Sequence, residues 1–443
     1  MARAGLAGLV FDPAAATHQH GELATLAGDG RLRDRVVASV LAKRRELAEE
    51  SGASSTRVAV QRLDGDAGPS ALIAHGEVLI VDPDHGNGAR LLERLGYRSL
   101  SSAGPVLRLR RPTADAAEVA SVCQALRALG VAAAPNYVTA AGPVAKGALG
   151  IAAPQPTRVD PGNRPAGDQR GSGVRVAIVD TGIDRGAAEA STGWLEGIAV
   201  SDGPGGNRDL LDSVPAPDGF LDDAAGHGTF VAGIVRQLAP ACEVTAVRAL
   251  DSDGVGTEFA AAEALFDLAD SPAPPHVVNL SLACLAAEAL APVALRAAVE
   301  AMRERHPDIV IVAAAGNDGS TVPAWPAAHK MVLSVGALDG QRPARYSNRG
   351  HWVDFSVPAD GVVSTYVQGT RVSQTGDTIE HTGAYAAWSG TSFAAPQVAG
   401  QVAAVMGEGA RGSEAVAFLG RAARPAGEAG RILAQPSALS HDE

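Results

Sequence analysis

The sequence predicts an α/β protein built on a parallel sheet with helices on both faces, preceded by a small α/β unit. Three observations predict it. Short continuous apolar runs, VRVAIVD (174–180), CEVTAVRAL (242–250), HVVNLSL (276–282), DIVIVAAAG (308–316) and MVLSVGA (331–337), alternate with helical segments, as strands buried on both faces do. Hydrophobic residues make up 46% of the 443 residues and charged residues 19%, enough apolar mass for a large core and too little charge for a disordered chain. A stretch dense in Gly and Pro, without periodicity, spans 141–171 and divides the chain.

Taken in order, residues 1–75 carry one clear element. Leu32, Val36, Val37, Val40, Leu41 and Leu47 are spaced as the apolar stripe of an amphipathic helix over 31–51, ending near Gly52. Its Lys43, Arg44 and Arg45 read as a solvated face rather than a partner-binding patch. The early pair His18 and His20, with Glu22, has no further ligand at metal-site spacing and reads as solvent-exposed. Residues 76–140 then run VLIVD, ARLLERLGY, VLRLRR, AEVASVCQALRALG and VAAAPNYV, which reads strand, helix, strand, helix, strand. The 141–171 stretch reads as a linker holding a domain boundary. Residues 172–435 form the larger α/β body and 436–443 a tail.

Composition excludes several functions. A net charge of -12 opposes general binding to nucleic-acid phosphates, which need a basic footprint. Cys123, Cys242 and Cys284 are odd in number and form no CxxC pair, against a disulfide framework. No run reaches the roughly 18 apolar residues of a membrane-spanning helix. The start, MARAGLAGLVFD, is too short and too soon interrupted for a secretory signal, so a cytoplasmic location is expected.

Four short segments carry candidate chemistry. Asp180 ends the apolar run VAIVD and is followed by the turn residues Thr181 and Gly182, at the carboxyl edge of a sheet where α/β proteins bind ligands. His227 lies between Gly226 and Gly228 in GHGTFVAGIV, where small neighbours allow close approach. Ser392 lies in WSGTSFAAP, after a Gly-containing turn and before a small-residue helix, with room beside it for a substrate backbone. Asn317 follows a buried strand and Gly316 in VAAAGND, and a side-chain amide can donate to an oxyanion. Each alone also fits a turn or a helix cap. Together they supply a nucleophile, a base, a carboxylate to orient it and an oxyanion donor.

VDTGID, GHGTFVAG, AAAGND and SGTSFAAP occur in the order Asp, His, Asn, Ser, and over about 172–435 the chain resembles the subtilase family, the subtilisin-like serine proteases. The resemblance implies a subtilisin-like fold and a serine endopeptidase in which Asp180 orients His227, His227 acts as base and then acid, Ser392 attacks the peptide carbonyl, and Asn317 stabilises the tetrahedral intermediate, helped by the Ser392 backbone amide. It also implies a substrate-binding edge at Gly254 and Gly256, a second edge at Ser281, Leu282 and Ala283, a first pocket walled by Ala313, Ala314, Ala315 and Gly316, and Ala324 near that pocket's floor. An extended peptide would add as a strand between the edges. The 76–140 unit resembles the family's propeptide, so the implied partners are a polypeptide substrate and the chain's own N-terminal segment, with a cut in the linker.

Departures from the pattern carry expectations too. Phe230 stands where many members have a second His, a change the base tolerates. Ala283 replaces a common Gly and Cys284 follows it, which narrows the edge. The helix after His227 lacks an inserted calcium loop, and Asp251, Asp253 and Gly254 lack the ligand spacing of one, so no metal and no cofactor are expected. Two other readings stand beside an active protease: a silent fold used as a scaffold, against which the four filled positions speak, and an enzyme that cuts only itself and keeps its N-terminal unit as inhibitor.

Overall fold

In the computed structural model, residues 8–50, 59–64, 71–82, 86–141, 153–190, 193–203, 205–214, 216–286, 290–372 and 377–433 are described. Two helices open the chain, α1 (Pro13–Gly28) and α2 (Gly30–Glu50). Asp12 caps α1 by accepting from the amides of Ala14 and Ala15, and Pro13 begins the helix where its missing N–H costs nothing. The sequence shows α2 through its apolar stripe. It hides α1, an Ala-rich helix with few large apolar residues.

The small α/β unit follows as β1 (Val60–Leu63), β2 (Ala71–Val81), α3 (Asn87–Arg94), β3 (Arg98–Ala103), β4 (Val106–Arg110), α4 (Ala116–Ala128) and β5 (Ala132–Ala140). Its antiparallel sheet runs β3-β4-β2-β5, with β1 paired to the first four residues of β2, ahead of the stretch that pairs with β4. The unit therefore reaches back across residue 76 to include β1 and the first half of β2.

The body contains β6 (Gln155–Pro156), β7 (Arg175–Asp180), α5 (Arg185–Ala190), α6 (His227–Leu238), β8 (Glu243–Arg248), β9 (Val255–Thr257), α7 (Glu258–Asp270), β10 (Val277–Leu280), α8 (Ala294–Arg305), β11 (Val310–Ala314) and β12 (Leu333–Asp339). After these come β13 (Arg342–Pro343), β14 (Phe355–Pro358), β15 (Val362–Thr365), β16 (Gly369–Val372), β17 (Thr378–His381), β18 (Tyr385–Trp388), α9 (Ala395–Met406), α10 (Gly412–Ala422), β19 (Arg424–Pro425) and β20 (Arg431–Ile432). The main sheet runs β20-β14-β12-β11-β10-β7-β8, with all those neighbours parallel. Val176, Ile178, Val312 and Val335 face one core with α6 and α9, while Ala177, Val179, Val278 and Ile311 face a second with α7 and α8. Alternate side chains of one strand feed opposite cores, which is why these strands read as unbroken apolar runs.

Three expectations are corrected here. Residues 153–171 are no free linker: β6 pairs with β18 of the body, and Ala153 is buried. Residues 142–152 of the expected linker and 436–443 of the expected tail lie outside the described residues. Lys43 and Arg44 are not a solvated face: the Arg44 side chain is 1% exposed and both bond to carboxylates of the body, while the side chain of Arg45 is outside the description. His20 is likewise not solvent-exposed, pairing with Asp360 at 2.7 Å, whereas His18 is 62% exposed.

The two units meet along an extended surface. Arg108 forms a fork on Glu77, which also accepts from Asn136; the oxygen of Asn136 in turn takes the Phe259 amide at the start of α7. Tyr137 donates its hydroxyl to the carbonyl of Leu290, and Arg127 bonds to that of Ala291. Among the described residues no helix is long and apolar enough to cross a membrane. The three cysteines are free and buried, with burial pushing the thiols of Cys123 and Cys242 up to about 12 and about 11, so none is a reactive thiolate.

Candidate active site

Four separate stretches converge at the carboxyl ends of β7 and β11. Asp180 is the last residue of β7, and its backbone carbonyl accepts from the amides of Ala249 and Leu250 beyond β8, so strand pairing fixes where its side chain starts. One carboxylate oxygen accepts from the Thr181 amide at 2.8 Å and lies 2.7 Å from His227 Nδ1. That contact places the Nδ1 proton toward Asp180 and leaves Nε2 as the basic nitrogen.

His227 is the first residue of α6, and Gly226 before it adopts φ 79°, a left-handed turn that few side chains tolerate. A Cβ on Gly228 would lie 2.3 Å from the Gly182 carbonyl, so the glycine after the histidine lets the helix start press against the turn after Asp180. The imidazole packs edge-on to Trp388 at 5.4 Å and beside Phe393 at 5.3 Å. Phe230, one turn along α6, contacts the same two rings, which explains why an aromatic residue suits that position.

Ser392 sits in a single 3-10 turn (Thr391–Phe393) that leads into α9. Its Oγ donates to the Ser281 carbonyl at 3.4 Å, and Ser281 Oγ donates to the Ser392 carbonyl at 2.7 Å. His227 Nε2 has no hydrogen-bond partner, so the hydroxyl and the imidazole are not bonded to each other here. A nucleophile and its base commonly tighten only when substrate is bound.

Asn317 is oriented by chemistry that leaves no choice of amide face. Its oxygen accepts from the Thr391 amide at 2.8 Å, and a backbone N–H can only donate. Thr391 Oγ1 donates to the same oxygen at 2.9 Å and accepts from the Gly316 amide at 3.1 Å. Asn317 Nδ2 is therefore a buried donor without a partner among the described residues, on an amide whose oxygen is held by Thr391, the residue before Ser392. Asp180, His227, Asn317 and Ser392 are all buried.

The two expected binding edges flank β5. Ala140 and Ala283 exchange both backbone hydrogen bonds at 2.9 Å, and Ala141 donates to the Gly254 carbonyl at 2.9 Å. On the first edge β5 and β9 pair antiparallel, with Thr139 opposite Gly256. A Cβ at Gly256 would meet the Ala249 carbonyl at 2.3 Å, so this edge requires glycine. Ala283, by contrast, fills a place where its Cβ is accommodated, and Leu282 beside it is buried in the second core. Ala313, Ala314 and Ala315 line the end of β11; the Ala315 carbonyl accepts from Asn348, and Gly316 lies so close to that amide that a Cβ would reach it at 2.5 Å. Ala324 is buried beside Trp325, which pairs with Cys284 through two backbone bonds.

Motif reading missed Asp209. Fully buried behind the Asp180 turn, it accepts from Thr181 Oγ1 at 2.8 Å, from the Gly226 amide at 2.9 Å and from the Leu211 amide at 3.2 Å. It thus ties the turn after Asp180 to the start of α6. Burial pushes its carboxyl up to about 7. Nothing in NRDLLDS marks it, because its partners are brought to it by the fold. Thr391 could have been found: it adjoins Ser392, and its amide and hydroxyl both donate to the Asn317 oxygen. No group of three His, Cys, Asp or Glu among the described residues is arranged to hold a metal.

The Subtilase family model matches residues 171–419, more than half of the chain, and the chain belongs to that family. It is 35% identical over 249 residues to the thermophilic serine proteinase of Bacillus sp. (strain AK1), covering 54% of this chain and 53% of that one. Thermitase of Thermoactinomyces vulgaris is 32% identical over 250 residues, 54% of this chain and 77% of thermitase. The chain thus spans about half the length of the first relative and about three quarters of the second. Fervidolysin from Fervidobacterium pennivorans, described as a keratinolytic enzyme related to subtilisin, shares the fold with a TM-score of 0.60 at 17% identity, over 85% of this chain and 62% of that one.

Proposed function

We propose that the chain is a serine endopeptidase that cleaves peptide bonds through an acyl-enzyme formed on Ser392. The observation that carries this reading is the pairing of an oriented imidazole with an oriented, unpartnered amide donor on either side of one serine. In the first half-reaction His227 Nε2 takes the Ser392 Oγ proton as the oxygen attacks the carbonyl. Asp180 stabilises the imidazolium without taking its proton. The carbonyl oxygen gains charge as the tetrahedral intermediate forms, and Asn317 Nδ2 with the Ser392 amide donates to it. His227 then gives its proton to the leaving amine. Water repeats the sequence on the acyl-enzyme.

An extended substrate would take the place of β5, with main-chain bonds to Gly254 and Ala283 supplying affinity and side-chain pockets selecting the sequence. Because β5 already occupies those edges, the full chain is a latent form whose N-terminal unit acts as its first partner, and activity follows a self-cut between Ala141, which bonds to the first edge, and Ala153, the next described residue, which is bonded to Gln19.

The test follows the full chain beside Ser392→Ala by intact mass during incubation with casein. Loss of the N-terminal segment and of casein only in the wild type supports the reading. If neither chain changes and neither is labelled by a fluorophosphonate, the protease reading fails and a scaffold role replaces it.

A further inference from the structure

We propose that α1 and α2 form a strap that anchors the cleft-filling unit to the catalytic body, so that a single cut between Ala141 and Ala153 does not by itself open the cleft. The proposal rests on the protease reading above. The strap and β5 lie on the same piece of chain, N-terminal to that cut, and the strap grips the body at two places.

The first grip is α1. Gln19 is completely buried; its amide nitrogen donates to the carbonyls of Ala153 at 2.7 Å and Ala387 at 3.1 Å, and its oxygen accepts from Ser389 Oγ at 2.6 Å. His20 pairs with Asp360, which also accepts from the Tyr346 hydroxyl. Asp12 adds a backbone bond to Gly361 and accepts from Thr157 Oγ1. Every one of these partners belongs to the body.

The second grip is α2. The Arg44 guanidinium donates to both oxygens of Asp251 and to Asp253, and Lys43 bonds to the other oxygen of Asp253. Asp251 organises the turn that begins the first binding edge, accepting from the amides of Asp253 and Val255. Val37 and Leu41 of α2 pack with Val60 on a cluster of Leu72, Val138 and Val255. That cluster joins β2, the cleft strand β5 and the edge strand β9, so α2 lies over the seam through which β5 would leave. A forked, buried Arg–carboxylate contact is a strong and geometrically demanding one.

After the cut, the fragment ending at Ala141 would be a bivalent ligand, held by β5 in the cleft and by the strap outside it. Release of one hold leaves the other to recapture it at high effective concentration, which can raise avidity by roughly 10²–10⁴. Removing one grip should therefore speed escape much more than the loss of one surface contact would.

The experiment follows hydrolysis of a chromogenic peptide by the full chain after self-cleavage is complete by intact mass, with gel filtration in parallel. In the wild type the two fragments co-elute and hydrolysis rises only after a long lag. Arg44→Ala and His20→Ala, at opposite ends of the strap, each shorten that lag at least tenfold. Should Arg44→Ala lose its cooperative melt, Lys43→Ala takes its place at the same turn. A wild type that loses its N-terminal fragment and reaches full rate as fast as these variants overturns the strap while leaving the protease reading intact. If no chain cleaves itself, the self-cut is what fails, and the protease reading fails with it only where the wild type also escapes fluorophosphonate labelling; the strap is then tested on Ser392→Ala nicked by limited trypsin at Lys146, the one basic residue in 142–152. There, co-elution lost in His20→Ala and Lys43→Ala backgrounds supports it, and fragments that part equally in all backgrounds refute it.

Discussion

Two pairs of carboxylates border the cleft and are neutralised in opposite ways. Behind the site, Asp180 and Asp209 are satisfied by His227, by the Thr181 hydroxyl and by backbone amides from neighbouring loops. At the edge, Asp251 and Asp253 receive Arg44 and Lys43 from more than two hundred residues away in the chain. The first arrangement keeps charge inside a site of neutral donors, so that under the proposed mechanism a proton arriving on the imidazole would be stabilised by Asp180. The second uses fixed cations, which hold a surface in place and have no proton to exchange near neutral pH. Chemistry and clamping are thus separated within one cleft wall.

The largest expected effect that would break this division is kinetic. Asp180→Asn should lower kcat by about 10⁴, the cost of that exchange in a chymotrypsin-type triad, with little change in melting temperature. A large loss of stability with unchanged kcat would make Asp180 a clamp like its counterparts at the edge. Arg44→Ala should do the reverse, costing about 3–5 kcal/mol of stability in urea unfolding because it strands buried carboxylates. A change below about 0.5 kcal/mol would mean that the grip is no stronger than an ordinary surface substitution.

A smaller kinetic effect belongs to Asn317. Its replacement by Leu should lower kcat by roughly 10²–10³ with KM little altered, since the donor acts on charge that develops only in the transition state. A pure KM effect would make Asn317 a substrate-binding group instead. The smallest effect concerns pH. Asp209 has its carboxyl raised from 3.8 to about 7, so the folded chain holds a proton that the unfolded chain has released in that window. Its contribution to stability is full below about pH 4, is lost as pH rises toward 7 and is level above. Asp209→Asn should flatten the fall in unfolding free energy between about pH 4 and pH 7. An unchanged slope would show that the amides of Gly226 and Leu211 keep Asp209 ionised.

How much the sequence disclosed differs between these regions for a physical reason. Asp180, His227, Asn317 and Ser392 stand out because each sits near the start or end of a strand or helix, among small residues that a close approach demands; Gly228 and Gly316 are examples, each leaving no room for a Cβ. Such constraints are local and leave a mark in neighbouring letters. Arg44 carries no such mark. On a helix of mixed charge it reads as solvated, and only its burial against Asp251 and Asp253 shows otherwise. Gln19 and Asp209 were hidden for the same reason, their partners being remote in sequence.

By itself, then, the sequence determined the parallel sheet and the order of the four candidate residues, because apolar periodicity and tight turns are properties of adjacent residues; the edges for an extended peptide came only from the resemblance to the subtilase family. Tertiary structure alone decided that β5 fills those edges, that residues 153–171 belong to the body and that the N-terminal helices grip it from two sides. Those outcomes depend on which distant surfaces meet, and a buried charge or amide finds its partner only when the chain has closed around it.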